Sequence, residues 1–230
     1  MSHFKIAVLL LTIIPISCGL SKKKISLEKS SYSYLALGDS YTIGESVCSD
    51  CNFPQQLTDS LNKTSKEKTS VKIIAKTGWT TTDLLSAIGL ENPSKDYDLV
   101  TLLIGVNNQY QGKPFSIYEK EFPELLDLAI DFAKGNPENV IVLSIPDYAF
   151  TPFGRKSGKA EKITAELIRY NAFAKKIALE KGVRFQNITP ITQQGLKDPE
   201  LVASDGLHPS EVAYKKFVDQ IFKKVSNILY

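Results

Sequence analysis

The sequence predicts an α/β protein, a three-layer α/β/α sandwich built on a five-stranded parallel sheet. Three observations predict it. Five short apolar runs, Tyr34 to Leu37, Val71 to Ala75, Leu99 to Ile104, Val140 to Ile145 and Val183 to Ile188, have the length of strands and not of helices. Segments with apolar residues at offsets of three and four separate them, which is the pattern of helices crossing from one parallel strand to the next. Short loops holding Ser40, Gly78 and Asn107 follow directly on the first three runs, at the carboxyl edge where open α/β sheets bind ligands.

Taken in order, Met1 to Ser17 has Lys5 near its start, an apolar run from Ile6 to Ile16 and a small residue before Cys18, the pattern of a secretory signal. The Ser17-Cys18-Gly19 junction is similar to a bacterial lipoprotein cleavage site, which makes Cys18 a lipidated amino terminus and places the protein in the cell envelope, anchored in a membrane. Pro15 stands where such sites usually have Leu, so ordinary signal cleavage and secretion is the alternative. Residues 18–33 are rich in Ser and Lys and poor in apolar side chains, as a solvated tether is. The remaining domain, residues 34–230, is long enough to bury well over half of its unfolded surface without a disulfide scaffold. The formal charge of +3, or +2 once Lys5 is removed, is too even to imply nucleic acid.

The first strand, Tyr34 to Leu37, ends in Gly38-Asp39-Ser40. A helix is expected from Pro54 to about Asn62, with Phe53, Leu57 and Leu61 on one face, then a polar surface loop from Lys63 to Ser70. After Val71 to Ala75 and Gly78, a helix capped by Thr81 or Thr82 runs as far as Gly89, with Trp79 as a lid on it. Leu99 to Ile104 is apolar apart from Thr101 and so reads as a central strand covered on both faces. Ser116 to Phe132 is helical, and Pro123 either kinks it or delays its start to Phe122. Val140 to Ile145 leads into the aromatic loop Pro146 to Gly154. Ile163, Leu167, Tyr170, Ala174 and Ile177 stripe one long helix closed by Gly182. The final helix carries Tyr214, Val218, Ile221, Val225 and Leu229.

Ser40 at a strand end and Asp205-Gly206-Leu207-His208-Pro209 at the far end of the chain supply complementary chemistry. Serine is a poor nucleophile until a base takes its proton, and the base needs a carboxylate on its other nitrogen to fix the tautomer and stabilise the imidazolium. Pro209 keeps His208 out of helical conformation, on the loop before the last helix. With His3 inside the signal segment, His208 is the only histidine of the mature chain. Ser40, Asp205 and His208 are therefore the candidate catalytic residues.

These residues, with Gly38-Asp39-Ser40-Tyr41, Thr77-Gly78-Trp79-Thr80, Gly105-Val106-Asn107-Asn108 and Asp205 to Pro209 in that order, resemble the four blocks of the GDSL, or SGNH, hydrolase family of serine esterases. The resemblance implies a flavodoxin-like strand order and an oxyanion hole made of the Ser40 N–H, the Gly78 N–H and the Asn107 amide. Glycine suits a backbone that must approach substrate closely, and asparagine donates without bringing a competing charge. Asn108 departs from the family, which often has Asp there. Asp39 is expected to be structural, accepting local backbone N–H groups.

The implied activity is hydrolysis of carboxylic esters through an acyl-enzyme, with short acyl or acetyl esters expected and Ile43, Val106, Tyr110 and Leu207 as the acyl pocket. A lysophospholipase or lipase acting on membrane lipids is the alternative, and a non-catalytic envelope-binding lipoprotein is a rival from another class. The expected partner is a small-molecule, carbohydrate or lipid ester; no cofactor or metal is expected, and the protein is expected to be a monomer. Cys48 and Cys51 are left as a pair that an oxidising envelope favours joining. A thiol redox centre is the rival reading of that spacing.

Overall fold

The structure, a computed structural model, describes Met1 and residues 31–230. Residues 2–30, Cys18 among them, lie outside the described residues. Five strands, β1 (Ser31–Gly38), β2 (Lys68–Ala75), β3 (Leu99–Leu103), β4 (Val140–Leu143) and β5 (Arg184–Gln186), pair in parallel in the order β2-β1-β3-β4-β5. That is the strand order implied by the family resemblance.

The helices are α1 (Ser40–Ile43), α2 (Phe53–Thr64), α3 (Thr81–Glu91), α4 (Val106–Tyr110), α5 (Phe115–Phe132), α6 (Pro152–Lys156), α7 (Ala160–Glu180), α8 (Thr189–Thr192) and α9 (Glu211–Leu229). Among the long ones, α2 packs on α9, while α3 packs on α5 and α5 on α7. The two groups follow from the order of the strands. The chain moves one way from β1 to β2 and the other way from β2 to β5, so right-handed crossovers put their helices on opposite faces. Every residue of β3 is buried, and its one polar side chain, Thr101, is paired with the buried Tyr34 hydroxyl at 2.7 Å. An unpaired hydroxyl at the centre of the sheet would cost on the order of 1–3 kcal/mol.

The register decides where the chemistry goes. Gly38, the last residue of β1, lies opposite both Ala75 of β2 and Leu103 of β3. The loops that follow these three strands therefore leave the sheet side by side, at the point where the strand order reverses and a crevice opens.

Several boundaries differ from those the sequence suggests. β1 begins at Ser31, inside the segment assigned to the tether, and β2 begins at Lys68, inside the expected loop. β2 is an edge strand, and Lys68, Thr69 and Ser70 alternate exposed, buried, exposed, so its first half lacks the apolar run of an interior strand. The cap of α3 is Thr80, whose hydroxyl accepts from Asp83 N–H while Asp83 accepts from Thr80 N–H. Gly89 lies inside α3, which runs on to Glu91 and ends at Asn92 in the left-handed conformation, φ 40°. Pro123 sits within an α5 that is continuous from Phe115, so the delayed start at Phe122 does not hold.

Candidate active site

Ser40 is the first residue of α1, directly beyond β1, and His208 stands on the loop before α9. The Ser40 hydroxyl donates to His208 Nε2 at 3.0 Å, and His208 Nδ1–H donates to Asp205 Oδ2 at 2.5 Å. Asp205 is held as firmly as it holds. Its Oδ1 accepts the backbone N–H of Leu207 (2.9 Å) and of His208 (3.0 Å), which folds Asp205 to His208 into a turn. Burial works to raise the Asp205 carboxyl, but the hydrogen bonds from His208, from the Leu207 and His208 N–H groups and from Ser46 outweigh it and hold the group at about 2. An imidazolium formed when His208 takes the serine proton thus faces a carboxylate at any pH well above that value.

Asp39 has a different task. It caps α1 through Oδ1, which accepts Tyr41 N–H at 3.0 Å, and burial pushes its carboxyl up to about 7 against the pull of that N–H and its own. Oδ2 is buried with no partner in the structure, so a proton there removes an uncompensated interior charge. The cap turns the chain abruptly, and the N–H of Ser40, at the first helical position, has no partner within the helix.

Gly78 and Asn107 flank that N–H from the loops after β2 and β3, and all three residues line one pocket. Gly78 has φ +85°, and a Cβ placed on it would meet no atom within 4 Å. Its constraint is the left-handed backbone beside open space, not crowding. Gly105 is the opposite case. At φ +122° it lets the chain turn into α4, and a Cβ there would lie 2.5 Å from the Tyr118 ring. The Asn107 amide donates one hydrogen to the Trp79 carbonyl at 3.0 Å, which fixes its plane and leaves the second hydrogen for the pocket. Asn108, the departure from the family pattern, is fully buried: its Oδ1 accepts Thr81 N–H at 3.0 Å and its Nδ2 donates to the Thr81 hydroxyl at 2.7 Å. The amide thus clamps the Asn107 loop to the start of α3, using a donor that a carboxylate lacks.

The pocket has a volume of about 260 Å³. Of the expected acyl-pocket residues, Val106, Tyr110 and Leu207 line it and Ile43 does not. The rest of the apolar wall comes from Tyr41, Tyr148 and Phe153, the last two from the aromatic loop after β4. That loop is tied to the histidine loop by Phe153 N–H donating to the Gly206 carbonyl at 2.9 Å. Trp79 is half-buried against the core and its carbonyl accepts the hydrogen bond of the Asn107 amide, so it does more than cover α3.

One supporting residue had no motif to announce it. Ser46, at φ +67°, donates its hydroxyl to Asp205 Oδ2 at 2.8 Å, the oxygen that also receives the His208 proton. The loop that presents it is braced by the disulfide Cys48–Cys51 and by Asn52, whose amide donates to the carbonyls of Ser49 (2.7 Å) and Ile43 (3.3 Å). The only signal was the closeness of a serine to a short disulfide loop. Ser46→Ala is expected to lower kcat about three- to tenfold with KM unchanged, the effect of one exposed hydrogen bond to a charged group. Steady-state kinetics at saturating substrate check it, and an unchanged kcat would show that Asp205 needs no help from this side.

The family profile described as the GDSL-like Lipase/Acylhydrolase family matches residues 36–216 of the chain. No curated protein sequence matches it. Among solved structures, a lipase/acylhydrolase from Enterococcus faecalis is 21% identical with a TM-score of 0.63, over 85% of this chain and 96% of that one. An acetylxylan esterase from Geobacillus stearothermophilus is 17% identical with a TM-score of 0.61, over 85% and 94%. An extracellular lipase from Streptomyces rimosus is 18% identical with a TM-score of 0.62, over 86% and 100%. At these identities the likeness is one of fold.

Proposed function

The chain belongs to the GDSL-like lipase/acylhydrolase family and is an ester-hydrolysing enzyme, and from that premise we propose that it cleaves short acyl esters, acetyl to butyryl, through an acyl-serine on Ser40. His208 removes the Ser40 proton as the oxygen attacks the ester carbonyl. Asp205 keeps the imidazole in the tautomer that can accept it. The negative oxygen that forms is received by the N–H groups of Ser40 and Gly78 and by the free hydrogen of the Asn107 amide. His208 then protonates the departing alcohol, and water, activated by the same imidazole, clears the acyl group.

The observation that carries the proposal is the continuous line Asp205, His208, Ser40, with 2.5 Å and 3.0 Å contacts, opening on a small apolar pocket. At about 260 Å³ that pocket falls below the roughly 300–1,000 Å³ of sites that enclose a drug-sized ligand. It is walled by short loops, and among the described residues no apolar insertion is available to cover a fatty chain. The acetylxylan esterase among the structural neighbours is compatible with this reading. For p-nitrophenyl esters from about two to sixteen carbons, kcat/KM is expected to fall steeply beyond about four to six carbons. A maximum at about ten carbons or longer would favour the lipase or lysophospholipase reading instead.

A further inference from the structure

A second cleft, of about 580 Å³, adjoins the catalytic pocket, and the two share Tyr110, Tyr148 and Phe153 as a common wall. Their charge differs sharply. The catalytic pocket has no Lys, Arg, Asp or Glu in its lining, whereas the second cleft is lined by Lys113, Lys159, Lys162 and Arg169 against a single carboxylate, Glu166. Glu166 is already engaged, accepting from the Gln109 amide at 2.7 Å and facing Lys162 at 3.7 Å. Lys113, Lys159 and Arg169 have no acidic partner within 4 Å among the described residues. For a chain of 28 basic and 25 acidic residues this is a local concentration of charge, not a reflection of composition.

The cations are also placed, not merely present. The Arg169 guanidinium lies over the Phe115 ring, 3.7 Å from its centroid, which orients its donors. The wall between cleft and pocket carries two large aromatics that water does not favour, Tyr110 at 57% and Phe153 at 39% exposure, with ring centroids 6.1 Å apart. Tyr148 stays neutral there: burial pushes its hydroxyl up to about 12, against the hydrogen bond it donates to Gln109. A molecule spanning both spaces would have an uncharged end at Ser40, a ring or carbon skeleton across the aromatics and a negative charge beyond them.

We propose that this cleft receives the alcohol portion of the ester, and that this portion bears an oxyanion, a carboxylate or a phosphate. The proposal rests on the reading of the Ser40 pocket as the acyl site. Carboxylate and phosphate share the chemistry that recognises them here, charge-assisted hydrogen bonds from lysine and arginine. The acidic sugar ester and the glycerol phosphate ester are the two sources of it.

The test uses the whole protein and two matched pairs of substrates. One pair is an acetylated galacturonate oligosaccharide and its neutral galactose counterpart; the other is acetyl glycerol 3-phosphate and monoacetylglycerol. Wild type is expected to show kcat/KM about tenfold higher for the anionic member of one pair, and the pair that shows it identifies the group. Combining Lys113→Gln, Lys159→Gln and Arg169→Gln should abolish that preference by raising KM for the anionic ester about tenfold, with kcat and the neutral ester little changed. In wild type alone, raising the salt should lower kcat/KM for the anionic ester only, since exposed charges are screened.

Equal rates within both pairs, or a triple variant that loses neutral and anionic esters alike, would overturn the proposal. Calorimetric binding of galacturonate oligosaccharide and of glycerol 3-phosphate to Ser40→Ala separates the two readings. If wild type hydrolyses no ester while Ser40→Ala binds an anion in a way that the triple substitution abolishes, the acyl-site reading fails and the anion cleft stands. Ester hydrolysis with neither binding nor preference would sink the cleft alone.

Discussion

Ser40→Ala is expected to lower kcat for ester hydrolysis by about 10⁴ to 10⁶ while leaving the fold in place, as is usual for loss of the nucleophile of a serine triad. The reason lies in what the hydroxyl touches. Ser40 is nearly buried, and its oxygen is bonded only to His208 Nε2 among the described residues, so its removal takes away the attacking atom and little packing. Stability should change by about 1 kcal/mol or less, the value of one hydrogen bond. His208→Ala should be about as damaging, and the double variant no worse than either, because the two side chains perform one step. Asp205→Ala should cost one to two orders of magnitude less, since an unoriented imidazole is still a base. Turnover of p-nitrophenyl acetate by contaminant-free protein checks the ranking. More than a few per cent of wild-type activity in Ser40→Ala would remove Ser40 from the mechanism.

Asn107→Ala should lower kcat by about 10² to 10³ with a small change in KM, the usual effect of losing one oxyanion donor. The structure makes this donor a prepared one. The amide already donates to the Trp79 carbonyl, so its orientation is set before substrate arrives and no reorganisation is needed as charge develops. Asn107→Asp keeps the size and places a negative charge where the transition state needs a donor, so it should fall below Asn107→Ala. If Asn107→Asp were the more active of the two, the oxyanion would have to form elsewhere. Both variants keep Asn108 and its two bonds to Thr81, so the loop should stay where it is.

Much of this site is legible in the residues themselves. Gly38-Asp39-Ser40 and Asp205 to Pro209 name a nucleophile, a base and a carboxylate because few other side chains can fill those roles. The interior strands are legible for the same kind of reason: β3 and β4 are covered on both faces, so their sequences are nearly continuous apolar runs. The edge strand β2 is not, because its solvated start is written in Lys, Thr and Ser. Ser46 was invisible because its partner, Asp205, is 159 residues away in the chain. Tyr148 and Phe153 were visible only as an aromatic loop, since the Phe153 bond to Gly206 is what sets that loop beside the pocket.

By itself the sequence determined the α/β class through hydrophobic period and pointed to Ser40, Asp205 and His208 as candidate catalytic residues through the scarcity of side chains able to do acyl-transfer chemistry, while Gly78 and Asn107 entered as oxyanion donors through the family resemblance. Only the tertiary structure decided that Gly38 lies level with Ala75 and Leu103, and hence that Ser40, Gly78 and Asn107 meet. It also decided that Lys113, from the loop before α5, meets Lys159, Lys162 and Arg169, at the start of α7 and within it, in one cleft beside them. Period and residue type are local quantities. Register and the meeting of distant loops are set by how the buried faces of all five strands and their helices fit together, which no single stretch of chain encodes.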